Sequence, residues 1–207
     1  MKIIGLTGSI GMGKSTAAAL LRKMGIPVHE ADKAVHKLLG PRGRAVAAVA
    51  QLFPDCRKGN QIDRRTLGQL VYANRAALKR LESVLHPLVQ QDTARWLKRQ
   101  HTRRTPVVVL DIPLLFEAGR EPGCDVVWVV SAAPTIQKAR VLARPGMTEA
   151  RFKAIVRRQL PDAEKRRRAN VVIPTGDGVA LTKVHLQSAL KRGITAGVWQ
   201  RYWKKLL

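Results

Sequence analysis

The sequence predicts an α/β fold in which a five-stranded parallel sheet is flanked by helices. Several short segments carry apolar residues on successive positions, which is typical of strands that are buried on both faces. These segments alternate with stretches of helical spacing, and that alternation favours a parallel sheet. The chain has 207 residues, 45% of them hydrophobic, so we expect one α/β domain over residues 1–207 with an inserted segment.

The expected strands and helices follow from the apolar pattern. Helical spacing covers residues 15–24 and ends at Gly25, a residue type that is common just after helices. Another helix is expected over residues 33–39, and the longest over residues 75–100, with a kink or a break at Pro87. The five strands are expected at residues 3–6, 26–28, 107–110, 126–130 and 171–173.

The formal net charge of +24 is extreme for a chain of this length. It implies polyanionic partners, such as nucleic acid, an anionic membrane or phosphorylated small molecules. No segment approaches the roughly 20 apolar residues that are needed to cross a bilayer. Cys56 and Cys124 lie too far apart in the sequence for a metal motif or a disulfide scaffold, and we expect a cytoplasmic protein.

The last residues of the chain, 195–207, have the spacing of an amphipathic helix. Trp199, Tyr202, Trp203 and Leu206 share one face, and basic residues lie between them. Such a helix can contact a membrane or a partner, but aromatic stripes more often pack on their own domain. We therefore expect no membrane contact.

The turn after the first expected strand has the spacing G-x-x-x-x-G-K-[ST], from Gly8 to Ser15. Backbone N–H groups of such a P-loop, together with the start of the next helix, bind phosphates. We expect Lys14 to reach the β- and γ-phosphates of ATP, Ser15 to ligate Mg²⁺ and Thr16 to bind the α-phosphate. The nucleotide-binding set predicted from the motif is Gly8, Gly11, Met12, Gly13, Lys14, Ser15 and Thr16.

Two aspartates follow expected strands at the sheet edge where α/β proteins bind ligands. Asp32 could accept the proton of an attacking hydroxyl group, or it could cap the helix over residues 33–39. Asp111 could reach Mg²⁺ through a water molecule, or it could cap the turn before Pro113. The spacing alone leaves both pairs of interpretations open.

The remaining candidate residues are basic. Arg140 and Arg144 are one helical turn apart, and either could brace the transferred phosphoryl group or simply lie on a solvated basic face. We expect a short lid near Arg144, over about residues 144–168. His86 precedes Pro87 and, as a lone histidine, is most simply a packed or partly exposed side chain. The helical segment that contains it, about residues 33–104, is too long for a simple crossover and is expected to shape the acceptor site.

The chain resembles the dephospho-CoA kinase family from end to end, and not only in the phosphate loop. The opening GLTGSIGMGKST is similar to that family's start, and the segment IPLLFE, residues 112–117, is the most diagnostic similarity. Further similar segments are Glu30-Ala31-Asp32, Ile62-Asp63-Arg64 with Leu67, Leu85-His86-Pro87-Leu88, Gln137 with Arg140 and Arg144, Gln159, and Ala169-Asn170. The chain departs from the family pattern at Glu30, Lys58-Gly59, Asn170 and Pro174-Thr175.

The resemblance implies a P-loop kinase of the nucleoside-monophosphate-kinase-like type, which transfers the γ-phosphoryl group of ATP to the ribose 3′-hydroxyl of dephospho-CoA with Mg²⁺. It implies that Asp32 is the base and that Arg140 belongs to the ATP side, so Lys14, Asp32 and Arg140 are the expected catalytic residues. The expected acceptor-binding residues are Asp32, Arg64, His86, Pro113, Leu114, Leu115 and Glu117.

Two alternative functions compete with this interpretation. Another small P-loop kinase, acting on a nucleoside, a nucleotide or a sugar, would share the phosphate loop but not the IPLLFE segment. A basic P-loop protein that binds nucleic acid would explain the charge, yet the sequence contains no recognisable nucleic-acid-binding module. We expect non-specific binding of nucleic acid at most, and a monomer or a weak homo-oligomer.

Overall fold

The computed structural model describes residues 1–72 and 74–195. The aromatic and basic helix that is expected near the end of the chain, with Trp199 and Trp203, lies outside the described residues. Within them the chain divides into two compact units. The first comprises Met1–His29 and the described residues from Arg103 onward, and the second is Glu30–Thr102.

The elements of the described chain alternate between strands and helices, apart from consecutive helices in both units and one pair of short consecutive strands in the second. In chain order the strands are β1 (Lys2–Thr7), β2 (Val28–Glu30), β3 (Arg57–Lys58), β4 (Gln61–Ile62), β5 (Val107–Asp111), β6 (Val126–Ser131) and β7 (Val171–Pro174). The α-helices are α1 (Lys14–Lys23), α2 (Ala31–Leu39), α3 (Val46–Leu52), α4 (Arg64–Tyr72), α5 (Arg75–Thr102), α6 (Pro134–Leu142), α7 (Glu149–Arg157), α8 (Asp162–Arg168) and α9 (Val179–Thr195).

The main sheet has five strands in the order β2-β5-β1-β6-β7. β1 is parallel to both β5 and β6, and β6 is parallel to β7. All of β5 is buried, and so is β6 after its first residue, because helices cover both faces of the sheet. The predicted five-stranded parallel sheet is confirmed. The second strand begins at Val28 rather than at residue 26, because Ile26 and Pro27 belong to the turn after α1.

The turn after α1 contains Gly25 and ends the helix, as the sequence predicted. Gly25 has φ 79, a left-handed conformation that costs glycine little. The amide of Gly25 donates to the carbonyl of Arg22, and the amide of Ile26 donates to that of Leu21. This pair of bonds is the Schellman arrangement, and it directs Ile26 into the core beside Leu21.

The second unit is helical except for the β3–β4 hairpin, and it has its own hydrophobic core. That core is built from α2, α3, α4 and α5 and includes Leu38, Val49, Phe53 and Leu85. The longest helix, α5, runs without a break through Pro87, which is exposed. The predicted break is therefore wrong. The packing of buried residues on both sides of the proline, Leu85 and Val89, holds the helix together there.

The start of α2 differs from the expected one. The helix begins at Ala31, so Glu30 occupies the cap position and Asp32 lies in the first turn. Capping by Asp32, one of its two interpretations, is thus wrong. An acidic side chain in a first turn is still favourable, since the helix dipole places partial positive charge there.

Within the two described stretches, residues 1–72 and 74–195, no helix combines the length and the apolar character needed to cross a membrane.

Candidate active site

The P-loop lies at the carboxyl end of β1, the middle strand of the sheet. The neighbouring strands β5 and β6 lie on opposite sides of β1, so the order of connections reverses there. In open parallel sheets, ligands bind at such a reversal, outside the carboxyl ends of the strands. The loop then enters α1 at Lys14, where the amides of the first turn have no acceptor within the helix.

The glycines of the loop are required by close contacts. Gly11 and Gly13 have φ values of 77 and 83, which side chains rarely adopt. A Cβ atom on Gly8 would lie 2.4 Å from Cγ2 of Val130 and 2.8 Å from its carbonyl oxygen. The loop can therefore follow this tight path only with glycine at these positions.

Two glutamines hold the top of the loop through its backbone. Nε2 of Gln137 donates to the carbonyl of Ile10 at 2.8 Å, and the amide of Ile10 donates to Oε1 of Gln159 at 3.0 Å. Both polar groups of one residue are thus held by side chains from two other segments, α6 and the junction after α7. The sequence contained these glutamines, but nothing in their spacing predicted this contact.

Thr175, just after β7, connects Arg140 to the other side of the loop. The hydroxyl of Thr175 lies 2.9 Å from the carbonyl of Met12 and 3.2 Å from that of Ser131. Nη2 of Arg140 donates to the Thr175 carbonyl at 2.6 Å. Arg140 is therefore fixed beside the P-loop, whereas Arg144 is exposed.

Asn170, one of the departures from the family pattern, has a structural role at the start of β7, the end opposite to Thr175. Its Oδ1 accepts a bond from the amide of Val127, 2.7 Å away, near the start of β6. Since the P-loop lies at the carboxyl ends of the strands, this residue belongs to the far edge of the sheet. The departure at Thr175, in contrast, lies at the site itself.

The P-loop lysine forms an ion pair with the aspartate at the end of β5. Nζ of Lys14 lies 2.5 Å from Oδ1 of Asp111, and Asp111 is 4% exposed. The backbone brings the two together because Asp111 pairs in register with Leu6, at the end of β1. Capping of the following turn is thus not needed to explain Asp111.

Residues suited to Mg²⁺ lie at this point. The Ser15 side chain is exposed at the start of α1, and Asp111 provides one carboxylate close to Lys14. Mg²⁺ is usually held in kinases by one or two protein groups together with substrate phosphates and water. The pair Ser15 and Asp111 fits that pattern. Among the described residues no cluster of three or more histidine, cysteine or acidic side chains offers a complete protein site.

The segment after β5 is only partly available to a ligand. The carbonyl of Pro113 accepts a bond from the Thr7 hydroxyl at 3.1 Å, and Leu114 is 45% exposed. Leu115 is completely buried in a cluster with Phe116, Val127 and Val129. Its expected contact with the acceptor is therefore corrected: in this structure the Leu115 side chain belongs to the core.

Glu117 is held by residues of the expected lid. Nζ of Lys165, which is 0% exposed, lies 2.8 Å from its Oε1, and the amide of Leu160 donates to the same oxygen at 2.9 Å. Burial alone would raise the pKa of Glu117, but the bonds from Lys165 and Leu160 hold it below its usual value. The carboxylate is thus ionised and engaged within the protein. Sequence reasoning missed Lys165, which lies in a basic run.

The other expected acceptor residues belong to the second unit. Asp32, Arg64 and His86 are all exposed there, in α2, α4 and α5. Asp63 caps α4, since its Oδ1 accepts the amide of Arg65 at 3.0 Å, and an ion pair with Lys58 at 2.5 Å accompanies it. Bonds from Lys58 and the amide of Arg65 lower the pKa of Asp63. Because Asp63 caps the helix, Arg64 is the first residue of α4.

The middle strand of the parallel sheet leads into a glycine-rich loop, and the lysine of that loop pairs with the aspartate at the end of the neighbouring strand β5. This arrangement defines a P-loop enzyme of the phosphoryl-transferring class. A family model described as dephospho-CoA kinase matches residues 2–180. The chain belongs to the dephospho-CoA kinase family, whose members are ATP-dependent kinases.

Relatives and solved structures agree with this assignment. The chain is 56% identical to the dephospho-CoA kinase of Paramagnetospirillum magneticum over 166 residues, 80% of this chain and 78% of the relative. It is 46% identical to that of Mesorhizobium japonicum over 190 residues, 92% and 95% of the two chains. The dephospho-CoA kinase structure from Campylobacter jejuni superposes with a TM-score of 0.71 at 25% identity, covering 95% and 99%.

A closer structural match, TT1252 from Thermus thermophilus, has a TM-score of 0.82 at 37% identity and covers 93% of this chain and 97% of the other. Shikimate kinase from Acinetobacter baumannii matches with a TM-score of 0.52 at 16% identity, covering 95% and 94%. That likeness concerns the fold alone, and it is the fold of P-loop kinases.

Proposed function

We propose that the chain transfers the γ-phosphoryl group of ATP to the ribose 3′-hydroxyl of dephospho-CoA and releases coenzyme A and ADP. The observation that carries this proposal is the match of the dephospho-CoA kinase model to residues 2–180 of a chain that folds around a P-loop. The reaction would be the last step of coenzyme A synthesis. The IPLLFE segment favours it over other small P-loop kinases.

On the ATP side, Lys14 supplies the charge that the transferred group requires. Its ammonium exchanges Asp111 for the β- and γ-phosphate oxygens, while the amides from Gly11 to Thr16 donate to the phosphates. Arg140, which donates to the Thr175 carbonyl beside the P-loop, supplies positive charge on the ATP side, and Arg144 adds a second guanidinium from the start of the lid.

Mg²⁺ would be held by Ser15 and, through water, by Asp111. When bound, the ion neutralises charge on the phosphate oxygens. The Ser15 hydroxyl needs no rearrangement for this role because it is exposed at the start of α1. Asp111 is freed for it when Lys14 turns to the phosphates.

On the acceptor side, Asp32 takes the proton of the 3′-hydroxyl as that oxygen attacks phosphorus. Its side chain is exposed, so the carboxylate is accessible to an acceptor hydroxyl group. Arg64, His86, Pro113 and Leu114 are proposed to bind dephospho-CoA, and Glu117 to position the Pro113–Leu114 segment. Exposure of Arg64, His86 and Leu114 supports their roles.

We further propose that the whole chain acts as one kinase domain with a helical insertion at about residues 33–104 and a lid at about 144–168. α7 and α8 occupy that lid. The protein is expected in the cytoplasm, as a monomer or weak homo-oligomer. Neither membrane contact nor specific nucleic-acid binding belongs to the proposed activity.

The test is an ADP-release assay with ATP and Mg²⁺ in which dephospho-CoA is compared with adenosine, AMP and gluconate. We expect turnover with dephospho-CoA alone and phosphorus at the 3′ position of the product. Turnover with one of the other acceptors alone would replace the proposed substrate and keep the fold. Nucleic-acid affinity that falls steeply with salt, without any turnover, would favour the binding-protein alternative.

A further inference from the structure

The junction between α7 and α8 contacts two functional loops through adjacent residues. Oε1 of Gln159 accepts the amide of Ile10, in the P-loop, at 3.0 Å. The amide of Leu160, the next residue, donates to Oε1 of Glu117 at 2.9 Å. Neighbouring backbone units have a fixed spacing. Two adjacent residues that bind two loops therefore hold those loops at a defined separation.

A buried lysine reinforces the contact with Glu117. Lys165 lies one turn inside α8 and is 0% exposed, although lysine is almost never fully buried without a partner. Its Nζ lies 2.8 Å from the Glu117 oxygen that Leu160 also binds. A fully buried ammonium is unfavourable without an anionic partner, and Glu117 supplies that partner.

The start of α8 is itself attached to the sheet. The hydroxyl of Ser131, the last residue of β6, donates to Oδ2 of Asp162 at 2.7 Å. The carbonyl of Ser131 accepts the amide of Thr175 at 2.9 Å, and Thr175 also lies against Met12 of the P-loop. The junction is therefore anchored to the end of β6, so the contacts of Gln159 and Leu160 with the two loops are made from a segment that is fixed to the sheet.

We propose that Gln159 and Lys165 are positioning residues: through the α7–α8 junction they hold the P-loop and the segment after β5, residues 113–117, at the spacing that phosphoryl transfer needs. Gln159 serves the nucleotide side and Lys165 serves the acceptor side. The assignment of residues 113–117 to the acceptor rests on the proposed function. The contacts of Gln159 with Ile10 and of Lys165 with Glu117 do not depend on the proposed function.

The two residues have different expected kinetic signatures. Gln159→Ala removes the acceptor of the Ile10 amide, so the KM for ATP rises about threefold to tenfold, as for a lost neutral hydrogen bond, with a smaller change for dephospho-CoA. Lys165→Met leaves the Glu117 carboxylate without its cation, so the KM for dephospho-CoA rises about tenfold or more, with a smaller change for ATP. Gln187→Ala and Lys183→Met, both at exposed positions of α9, are the matched controls.

A second substitution tests whether the Lys165–Glu117 charge pair is the cause of the effect. Lys165→Met combined with Glu117→Gln removes both charges but keeps an amide oxygen for the Leu160 N–H. The double variant is expected to regain most of the affinity for dephospho-CoA that Lys165→Met loses. A KM for dephospho-CoA that stayed as high in the double variant as in Lys165→Met would show that the charge pair is not the cause of the effect.

Hydrogen exchange gives a measurement that does not depend on the acceptor. In the full chain, Lys165→Met should speed amide exchange at least tenfold in residues 114–120, where the Ala118 amide bonds to Leu114 and that of Arg120 to Leu115. Gln159→Ala should speed exchange in residues 9–13 instead. The inference is overturned if exchange in these segments and both KM values stay within twofold of the wild type.

The two proposals can fail separately. If wild-type protein gives no turnover with dephospho-CoA, the proposed function fails, while the exchange pattern still decides the positioning role. If turnover is normal and neither Gln159→Ala nor Lys165→Met changes the KM values or the amide exchange, the positioning role is wrong and the proposed function stands.

Discussion

Lys14 and Asp111 lie 2.5 Å apart, joined across the carboxyl ends of β1 and β5. The pair keeps the P-loop lysine in place without a nucleotide, so its charge is already near the site when phosphates arrive. It also means that phosphates must compete with a carboxylate for the ammonium. Both properties follow from strand register, because Asp111 is paired with Leu6.

Lys14→Ala is expected to lower kcat by a factor of about 10² to 10³, or about 3–4 kcal/mol of transition-state stabilisation. The loss arises because no other group in the loop carries a full positive charge to the γ-phosphate. Steady-state kinetics and thermal unfolding measure it. Lys23→Ala, at an exposed position in the last turn of α1, is the control. Near-wild-type turnover of Lys14→Ala would refute the catalytic scheme.

Asp32→Asn is expected to reduce kcat at least 10²-fold while the Kd for ATP stays within about twofold, since general-base catalysis typically contributes 10²- to 10⁴-fold. The amide retains the shape of the side chain but cannot accept the proton. Nucleotide titration and turnover with dephospho-CoA measure the two effects. Asp55→Asn, another exposed aspartate of the second unit, should behave as wild type. Equal kcat values for Asp32→Asn and wild type would remove Asp32 as the base.

Arg140 and Arg144 are expected to respond differently to removal. Arg140→Ala breaks the bond to the Thr175 carbonyl and loosens the end of β7 beside Met12, so both the melting temperature and the affinity for ATP should fall. Arg144→Ala should leave the melting temperature unchanged, because its side chain is exposed, and should reduce turnover only. Differential scanning fluorimetry and kinetics test the pair. A fall in melting temperature for Arg144→Ala alone would contradict the assignment.

Gly8→Ala should destabilise the protein by about 1–3 kcal/mol and abolish tight ATP binding, because the new methyl group would overlap Val130. The clash involves the backbone oxygen of Val130 as well as its side chain, so a rotamer change cannot relieve it. Gly123→Ala, where the methyl group would meet nothing within 4 Å, is the control. Denaturant unfolding with and without ATP measures both. Equal stability of the two variants would contradict the packing argument.

Acid stability should depend in part on Glu117. Its pKa is lowered in the folded state, so the folded protein binds fewer protons than the unfolded chain below the usual glutamate pKa, and stability falls as the pH falls through that range. Bonds from Arg167 and Arg168 lower the pKa of Glu164 to about 2, which adds a similar acid-sensitive contribution. In urea unfolding between pH 7 and pH 3, the Lys165→Met/Glu117→Gln variant should lose less stability on acidification than the wild type. Parallel pH profiles would contradict this.

The strands and the P-loop were predictable from sequence because their signals are local. Runs such as Val107 to Leu110 are apolar at every position, and glycine at Gly8, Gly11 and Gly13 is dictated by the backbone path. The short strand β2 begins at Val28 and not at residue 26 as predicted. Its residues are only half buried, so the apolar pattern did not mark its bounds.

The side-chain contacts at the site were not predictable in the same way. Lys165 lies in the sequence Asp-Ala-Glu-Lys-Arg-Arg-Arg, which has the composition of a solvated helix face, and only the tertiary packing of α8 buries that one lysine. The same holds for Leu115, whose place in a functional segment gave no indication that its side chain enters the core. For Pro87, burial of the residues beside it outweighed the local tendency to break a helix.

Because Gln137 and Gln159 hold Ile10 by its amide and carbonyl, the identity of that side chain is of little consequence to the loop. Position 10 should therefore accept a wide range of residues in a saturation library, with proline, which lacks the N–H group, excluded. Evolution could then vary this position freely within the P-loop motif, while the two glutamines, which lie outside that motif, would carry the constraint.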